Sequence, residues 1–106
     1  MKTTEALRYN EGKIGLDLIP FDSVEEIAKV LDMGAKKYAP DNWKKGMSIR
    51  KCMGCLLRHA FAYMKGERID KESGLSHIAH IGCNVLFILW YEKHRPDLLD
   101  IEQEKS

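Results

Sequence analysis

A nearly unbroken apolar segment over residues 78–90 constrains the fold of this chain most strongly. It follows Ser76, whose side chain can cap a helix, and a helix through it is predicted to end near His94, before Pro96. Such a helix is apolar on almost all sides, so other helices or other copies of the chain must cover it. This third helix therefore predicts an all-α protein.

Two earlier segments repeat apolar residues at helical spacing. Ser23 and Glu26 have the spacing of a capping box, which predicts a first helix over residues 24–37. Ser48 can cap a second helix over residues 49–65. These two helices supply apolar faces that can pack against the third.

The sequence pattern at the two ends of the chain differs from the helical periodicity of its middle. Residues 1–20 contain turn-forming residues and a weak alternation of apolar residues, which predicts an extended arm that can include a short strand. Residues 97–106 form a charged tail, predicted to contain at most one helical turn and to be mobile otherwise. The predicted fold is therefore a compact helical bundle of three to four helices with an extended N-terminal arm, completed by oligomerisation.

Composition narrows the classes of function. The 106 residues suit one domain, and 17 basic against 16 acidic residues give a net charge of +1, which argues against duplex nucleic acid as a partner. The longest apolar run, about eleven residues, is shorter than the roughly twenty of a membrane span. With no leader-like segment and an odd number of cysteines, three, we expect a cytoplasmic protein with reduced thiols and no membrane partner.

The start of the third helix carries the most plausible chemistry. His77, His80 and Asn84 are spaced so that a helix places them on one face, directly after a loop rich in carboxylates. That loop contains Glu67, Asp70 and Glu72. Imidazoles act as acids, bases or ligands, and carboxylates bind hard cations, so this face is a candidate catalytic or metal site. Alternatively, the histidines bond to backbone carbonyls and the acids are solvated at a helix N-terminus.

A second set of residues surrounds Trp43. Lysines flank it, with Tyr38 and Asn42 beside it, which suits phosphate binding and stacking on a base. By composition alone, a solvated basic rim with Trp43 anchored in the core is the favoured reading. Arg58 is a better phosphate ligand because a guanidinium can bind bidentately.

The cysteines offer a third candidate site. Cys52, Cys55 and His59 share one helix face, and Cys83 could be a fourth zinc ligand. Zinc-binding pairs with this spacing usually lie on turns, so we expect buried thiols and no zinc.

The order of these motifs over Tyr9 to Glu92 resembles a phage-borne family, the dATP/dGTP diphosphohydrolases (N-terminal domain). The residues that carry the resemblance are Gly12-Lys13, the segment Leu16 to Pro20, the segment Gly34 to Tyr38, Asn42-Trp43, Arg58-His59, Gly66-Glu67, Asp70, the segment Glu72 to Gly74, His77, His80 and Asn84.

The resemblance implies a fold akin to MazG-type all-α nucleoside triphosphate pyrophosphohydrolases, which release pyrophosphate with Mg²⁺ or Mn²⁺. Those enzymes carry Glu-x-x-Glu on one helix and Glu-x-x-Asp on the next. Here the first helix has Glu25-Glu26, but Lys29 stands where the second glutamate would be. Glu67 and Asp70 keep the Glu-x-x-Asp spacing, but they lie in a segment that is predicted to be a loop. Histidines would therefore have to replace the missing carboxylates.

The resemblance implies that residues 1–96 are a nucleotide-binding domain that forms a homo-oligomer. It also implies that this domain, with Mg²⁺ or Mn²⁺, hydrolyses a purine nucleoside triphosphate to a monophosphate and pyrophosphate, in the host cytoplasm if phage-encoded. The implied catalytic residues are His59, His77 and His80, which would activate water or bind the metal. The implied metal ligands are Glu67, Asp70 and Glu72. The implied contacts to phosphate or sugar are Lys13, Lys37, Arg58 and Asn84, and those to the base are Tyr38, Asn42 and Trp43.

Two alternatives stay open. The protein could be a phage nucleotide-binding protein that sequesters a host nucleotide signal without hydrolysing it. It could also be a helical oligomerisation or adaptor protein, which the apolar third helix favours. Stabilisation by a nucleotide distinguishes the first alternative from the second.

Overall fold

The computed structural model describes residues 11–104, and the described part is all-α. Its helices are α1 (Phe21–Lys37), α2 (Ile49–Met64) and α3 (His77–His94), joined by short 3-10 turns and loops. The described residues contain no strand, only one isolated bridge between Ile69 and Ser76. The three helices and the all-α class confirm these two parts of the predicted fold. The predicted arm falls partly on residues 1–10, and the tail partly on 105–106, which lie outside the described residues.

Two of the three predicted helix starts are confirmed. The Ser48 and Ser76 hydroxyl oxygens each accept a backbone N–H of the helix that follows, both at 3.1 Å. The predicted capping box of α1 is wrong, because that helix begins at Phe21, after Pro20. Ser23 lies within its first turn, where its N–H donates to the Asp22 carboxylate at 3.0 Å. Asp22 places negative charge at the N-terminus, which stabilises this earlier start.

The third helix is central, and it packs against both other helices. One buried cluster, where α1 meets α3, consists of Val30, Ala79 and Cys83. A second, where the start of α2 meets the end of α3, consists of Ile49, Cys52 and Tyr91. Phe87 packs against both clusters and so connects them. No helix among the described residues is long and apolar enough to cross a membrane.

The first residues of the tail are docked on the helices. Leu98 and Leu99 pack against the second cluster. The Asp100 carboxylate accepts the Arg50 N–H at 2.8 Å and also accepts the Ser48 hydroxyl. Apolar burial and a carboxylate at the N-terminus of α2 both favour this position. The predicted mobility therefore does not describe residues 98–100.

A single chain leaves apolar residues of α2 and α3 exposed. On α2 they are Met53, Leu57, Phe61 and Met64, and on α3 they are Ile78, Val85, Leu86 and Leu89. Their spacing of three, four or seven residues places most of them on one face of each helix. We call these surfaces the apolar outer faces of α2 and α3. The face on α3 belongs to the helix that, from its sequence, other helices or other copies of the chain must cover.

Candidate functional site

The loop between α2 and α3 folds back onto the start of α3. Gly66 and Gly74 have φ values of 103° and 73°, which favour glycine. The Asp70 N–H donates to the Leu75 carbonyl at 2.8 Å, and the Gly74 N–H donates to the Asp70 carbonyl at 2.7 Å. These bonds hold the Asp70 carboxylate beside α3.

Three histidines from two helices form the centre of the site. The Nδ1 atoms of His59 and His77 lie 2.8 Å apart, so one of the two nitrogens donates to the other. The rings of His59 and His80 stack in parallel, with centroids 4.5 Å apart and planes 6° apart. His77 is 3% exposed and His80 9%. We call His59, His77 and His80 the histidine cluster.

Ser73 links the histidine cluster to a carboxylate. Its hydroxyl lies 2.7 Å from the Asp70 Oδ2 atom and 2.7 Å from the His80 Nε2 atom. An ionised carboxylate can only accept, so the hydroxyl proton points to Asp70 and His80 Nε2–H donates to Ser73. The His80 lone pair is then at Nδ1. The sequence alone does not indicate this role of Ser73, because its position between Asp70 and His80 depends on the loop conformation.

The protonation states follow from burial and hydrogen bonding. Burial lowers the pKa of His59 below 6.5, and the neighbouring His80 and His77 imidazoles lower it further. Burial likewise lowers the pKa of His80. The Ser73 hydroxyl, by donating to Asp70, lowers the pKa of that carboxyl below 3.8. Near neutral pH, His59 and His80 are therefore uncharged bases beside an ionised carboxylate.

His77 has one nitrogen without a partner among the described residues. Its Nε2 atom is buried and makes no hydrogen bond, and the nearest carboxylate oxygen, on Glu67, is 3.8 Å away. Ligand atoms of His59, Asp70 and His77 all lie within 4.8 Å of one another, so these residues could hold a metal ion. The cysteines do not join them: Cys52 and Cys83 are buried in separate clusters.

A cleft of about 850 Å³ opens beside His80. The predicted base contacts Tyr38, Asn42 and Trp43 line it, together with Asn84. A volume of this order is typical of small-molecule sites. A smaller cavity of about 280 Å³ shares His80 and Met33 with the cleft, and its other lining residues are Lys37, His59, Asp70, Glu72 and Ser73. Because His80 lines both, the cleft and the histidine cluster adjoin.

Trp43 contributes to the core as well as to the cleft. Its ring stacks on Phe87 with centroids 4.6 Å apart, and it packs against the second buried cluster. The Tyr91 hydroxyl donates to its carbonyl. The anchoring role considered for Trp43 is therefore present, and Trp43 also lines the cleft.

A model of the protein family described as dATP/dGTP diphosphohydrolase, N-terminal, matches residues 3–101. The chain belongs to this family. A protein of Salmonella phage PMBT28 named dATP/dGTP diphosphohydrolase is 36% identical to it over 90 residues, which is 85% of the chain. The chain spans about a third, 31%, of that relative's length. No solved structure matches the chain.

Not all site residues predicted for this member of the diphosphohydrolase family converge. Lys13 is exposed before α1, and neither it nor Arg58 is among the residues that line the two cavities. Arg58 donates instead to the Cys55 Sγ atom at 3.0 Å, because the residue beside His59 on a helix points about 100° away. The Glu72 carboxylate is 86% exposed and lies 3.9 Å from the Lys37 ammonium group.

Proposed function

We propose that this member of the dATP/dGTP diphosphohydrolase family hydrolyses a purine deoxynucleoside triphosphate to the monophosphate and pyrophosphate. The observation that carries the proposal is the histidine cluster with Asp70, which adjoins a cleft of nucleotide size. The name of the phage relative supports the substrate class. Cleavage breaks the bond between the α-phosphate and the pyrophosphate, and water supplies the new oxygen.

The cleft suits a nucleotide. We assign the base to the surface formed by Tyr38, Asn42 and Trp43, where aromatic rings provide stacking. The Asn84 amide nitrogen donates to the His80 carbonyl at 2.9 Å, which leaves its oxygen to accept a sugar hydroxyl. Lys37 lines the smaller cavity and can bind phosphate there. Contacts from Lys13 and Arg58 remain predictions.

The residues present fit a divalent cation. Asp70 and Glu67 lie beside the histidine cluster, whose His77 Nε2 atom has no hydrogen-bond partner. Glu72, the third predicted ligand, lies at the edge, where it faces Lys37. A bound Mg²⁺ or Mn²⁺ ion would neutralise phosphate charge and lower the pKa of the attacking water.

His80 is the base in this proposal. It holds its lone pair at Nδ1, and its Nε2–H is fixed by Ser73. When Nδ1 takes a proton from water, the imidazolium is stabilised by the Asp70 carboxylate, 3.6 Å from Nε2, directly and through the Ser73 hydroxyl. Neutral His80 is available near neutral pH because burial lowers its pKa.

We also propose that the chain is a homo-oligomer. Phe61 on α2 is 66% exposed and Leu89 on α3 is 57% exposed, and each belongs to an apolar outer face. Apolar surface of this kind is removed from water when the same faces of a second copy pack against it.

The test is pyrophosphate release from dATP and dGTP with Mg²⁺ or Mn²⁺, for wild type, His77→Ala and His80→Ala. Both variants are expected to lose activity while circular dichroism shows retained helix. His94→Ala, at the far end of α3, is the matched control and is expected to stay active. Wild-type turnover in His77→Ala and His80→Ala would overturn the assignment.

A purely binding protein gives a different result in the same experiment. Nucleotide would raise the melting temperature and be recovered intact with every metal. The histidine cluster would then consist of ligand contacts, and the sequestering alternative would replace the hydrolase.

A further inference from the structure

Two nitrogen atoms of the histidine cluster are placed as ligand atoms for one ion. The His59 and His77 Nδ1 atoms lie 2.8 Å apart. Two ligands at right angles on an ion with bonds of about 2.0–2.1 Å lie roughly 2.8–3.0 Å apart. The observed spacing therefore suits two ligands of one metal ion as well as it suits a hydrogen bond.

The buried Nε2 atom of His77 supports the same interpretation. It has no hydrogen-bond partner among the described residues, and such buried nitrogens are costly. If both Nδ1 atoms bound an ion, the proton of His77 would lie on Nε2, which faces the Glu67 carboxylate at 3.8 Å. Metal-bound histidines usually donate their other N–H to a carboxylate or carbonyl. An ion would thus give the unpartnered Nε2 atom a role.

Asp70 completes the donor set, since its carboxylate lies within 4.8 Å of a ring nitrogen of each of these two histidines. Two imidazoles with one carboxylate are a poor match for Mg²⁺, which prefers oxygen ligands and keeps several waters. Mixed nitrogen and oxygen donors suit Mn²⁺, Fe²⁺ or Co²⁺.

We infer that His59, His77 and Asp70 bind a divalent first-row transition metal ion in preference to Mg²⁺, with Glu67 as the hydrogen-bond partner of His77. The inference deepens the proposed function and rests on it for the use of the ion in hydrolysis. Binding itself does not require the nucleotide. Two histidines thereby become ligands, as expected if histidines replace the carboxylates that the first helix lacks.

The test is calorimetric titration of Mn²⁺, Co²⁺ and Mg²⁺ into protein that carries no histidine tag and has been treated with chelator. We expect one ion per chain, with Mn²⁺ and Co²⁺ bound at least about tenfold more tightly than Mg²⁺. His59→Gln, His77→Gln and Asp70→Asn should each lower Mn²⁺ affinity by at least about 100-fold, more than the loss of a ligand's hydrogen-bond partner usually costs. His94→Gln alters the histidine that lies outside the histidine cluster, and this variant should bind Mn²⁺ as wild type does.

A measurement on wild type avoids variants that fail to fold. Paramagnetic Mn²⁺ should broaden the imidazole NMR signals of His59 and His77 and leave that of His94 sharp. Equal affinity for Mg²⁺ and Mn²⁺, or unbroadened His59 and His77 signals, would overturn the inference.

The two proposals fail in different ways. Hydrolysis of dATP without Mn²⁺ binding at the histidine cluster would overturn the metal site and leave the proposed function intact. Selective Mn²⁺ binding without any hydrolysis of dATP or dGTP would support the metal site and overturn the function.

Discussion

Ser73 is the residue on which the geometry of the histidine cluster depends most directly. Its hydroxyl donates to Asp70 at 2.7 Å and accepts from His80 at 2.7 Å and from the Leu75 N–H at 3.2 Å. All of its hydrogen-bonding capacity is therefore used. It sets the tautomer of His80 and the orientation of the Asp70 carboxylate together.

We predict that Ser73→Ala lowers the free energy of unfolding by about 1–3 kcal/mol, because partly buried partners lose their hydrogen bonds. It should also lower hydrolysis, since His80 loses its fixed tautomer. Urea denaturation and pyrophosphate release measure the two effects. Ser23→Ala, on the exposed side of α1, is the control and should change stability by less than about 0.5 kcal/mol. Equal effects of the two variants would contradict the prediction.

The histidines also predict the pH dependence of stability. His59 and His80 have pKa values below 6.5 in the folded protein, because burial disfavours their charged form. Below about pH 6.5 the unfolded chain binds protons that the folded chain does not, so stability is complete above that pH and falls below it. Asp70 stays ionised in this range, because its pKa lies below 3.8.

We therefore expect the melting temperature of metal-free protein to fall between about pH 7.5 and about pH 5.5. Calorimetry at several pH values measures this change. His59→Gln should make the dependence shallower, because it removes one of the two groups. A melting temperature that is flat over this range would contradict the expectation.

At the scale of helices, the crossing of α1 and α3 depends on a glycine. A Cβ atom on Gly82 would lie 2.5 Å from Ile27 Cδ1 and 2.8 Å from its Cγ1. Gly82 thus lets α1 approach α3, and this approach forms one wall of the cleft.

Gly82→Ala should destabilise the protein, although replacing a glycine by alanine within a helix usually stabilises it. Gly54→Ala on α2 meets only an ordinary 3.6 Å contact with Arg58 and should stabilise the protein by roughly 0.5–1 kcal/mol. Gly82→Ala gains the same helix propensity but must displace Ile27, an overpacking cost of about 1–3 kcal/mol. Thermal unfolding of both variants measures the difference. Equal stabilisation would show that α1 does not pack tightly on α3.

For the whole molecule, the apolar outer faces of α2 and α3 predict association. Wild type should sediment as a dimer or larger species, and Phe61→Glu or Leu89→Glu should shift it toward monomer, because a charge in an apolar interface is unpaired. Analytical ultracentrifugation measures the mass. Ile14→Glu, at a residue 86% exposed before α1, is the control and should keep the wild-type mass. A monomeric wild type would contradict the proposal.

Sequence periodicity by itself determined the all-α class, the second and third helices and the common face of His77, His80 and Asn84. Helix spacing and capping are local properties, so they can be read from neighbouring residues. The start of α1 was predicted three residues too late, because the helix begins directly after Pro20, with Asp22 in its first turn.

Only the tertiary structure decided which distant residues meet. The packing of α2 against α3 brings His59 to His77 across 18 positions, and the loop conformation brings Ser73 and Asp70 to His80. It also docks Asp100 at the start of α2. Such contacts depend on helix orientation and loop geometry, which follow from packing of the whole chain rather than from the spacing of residues along it.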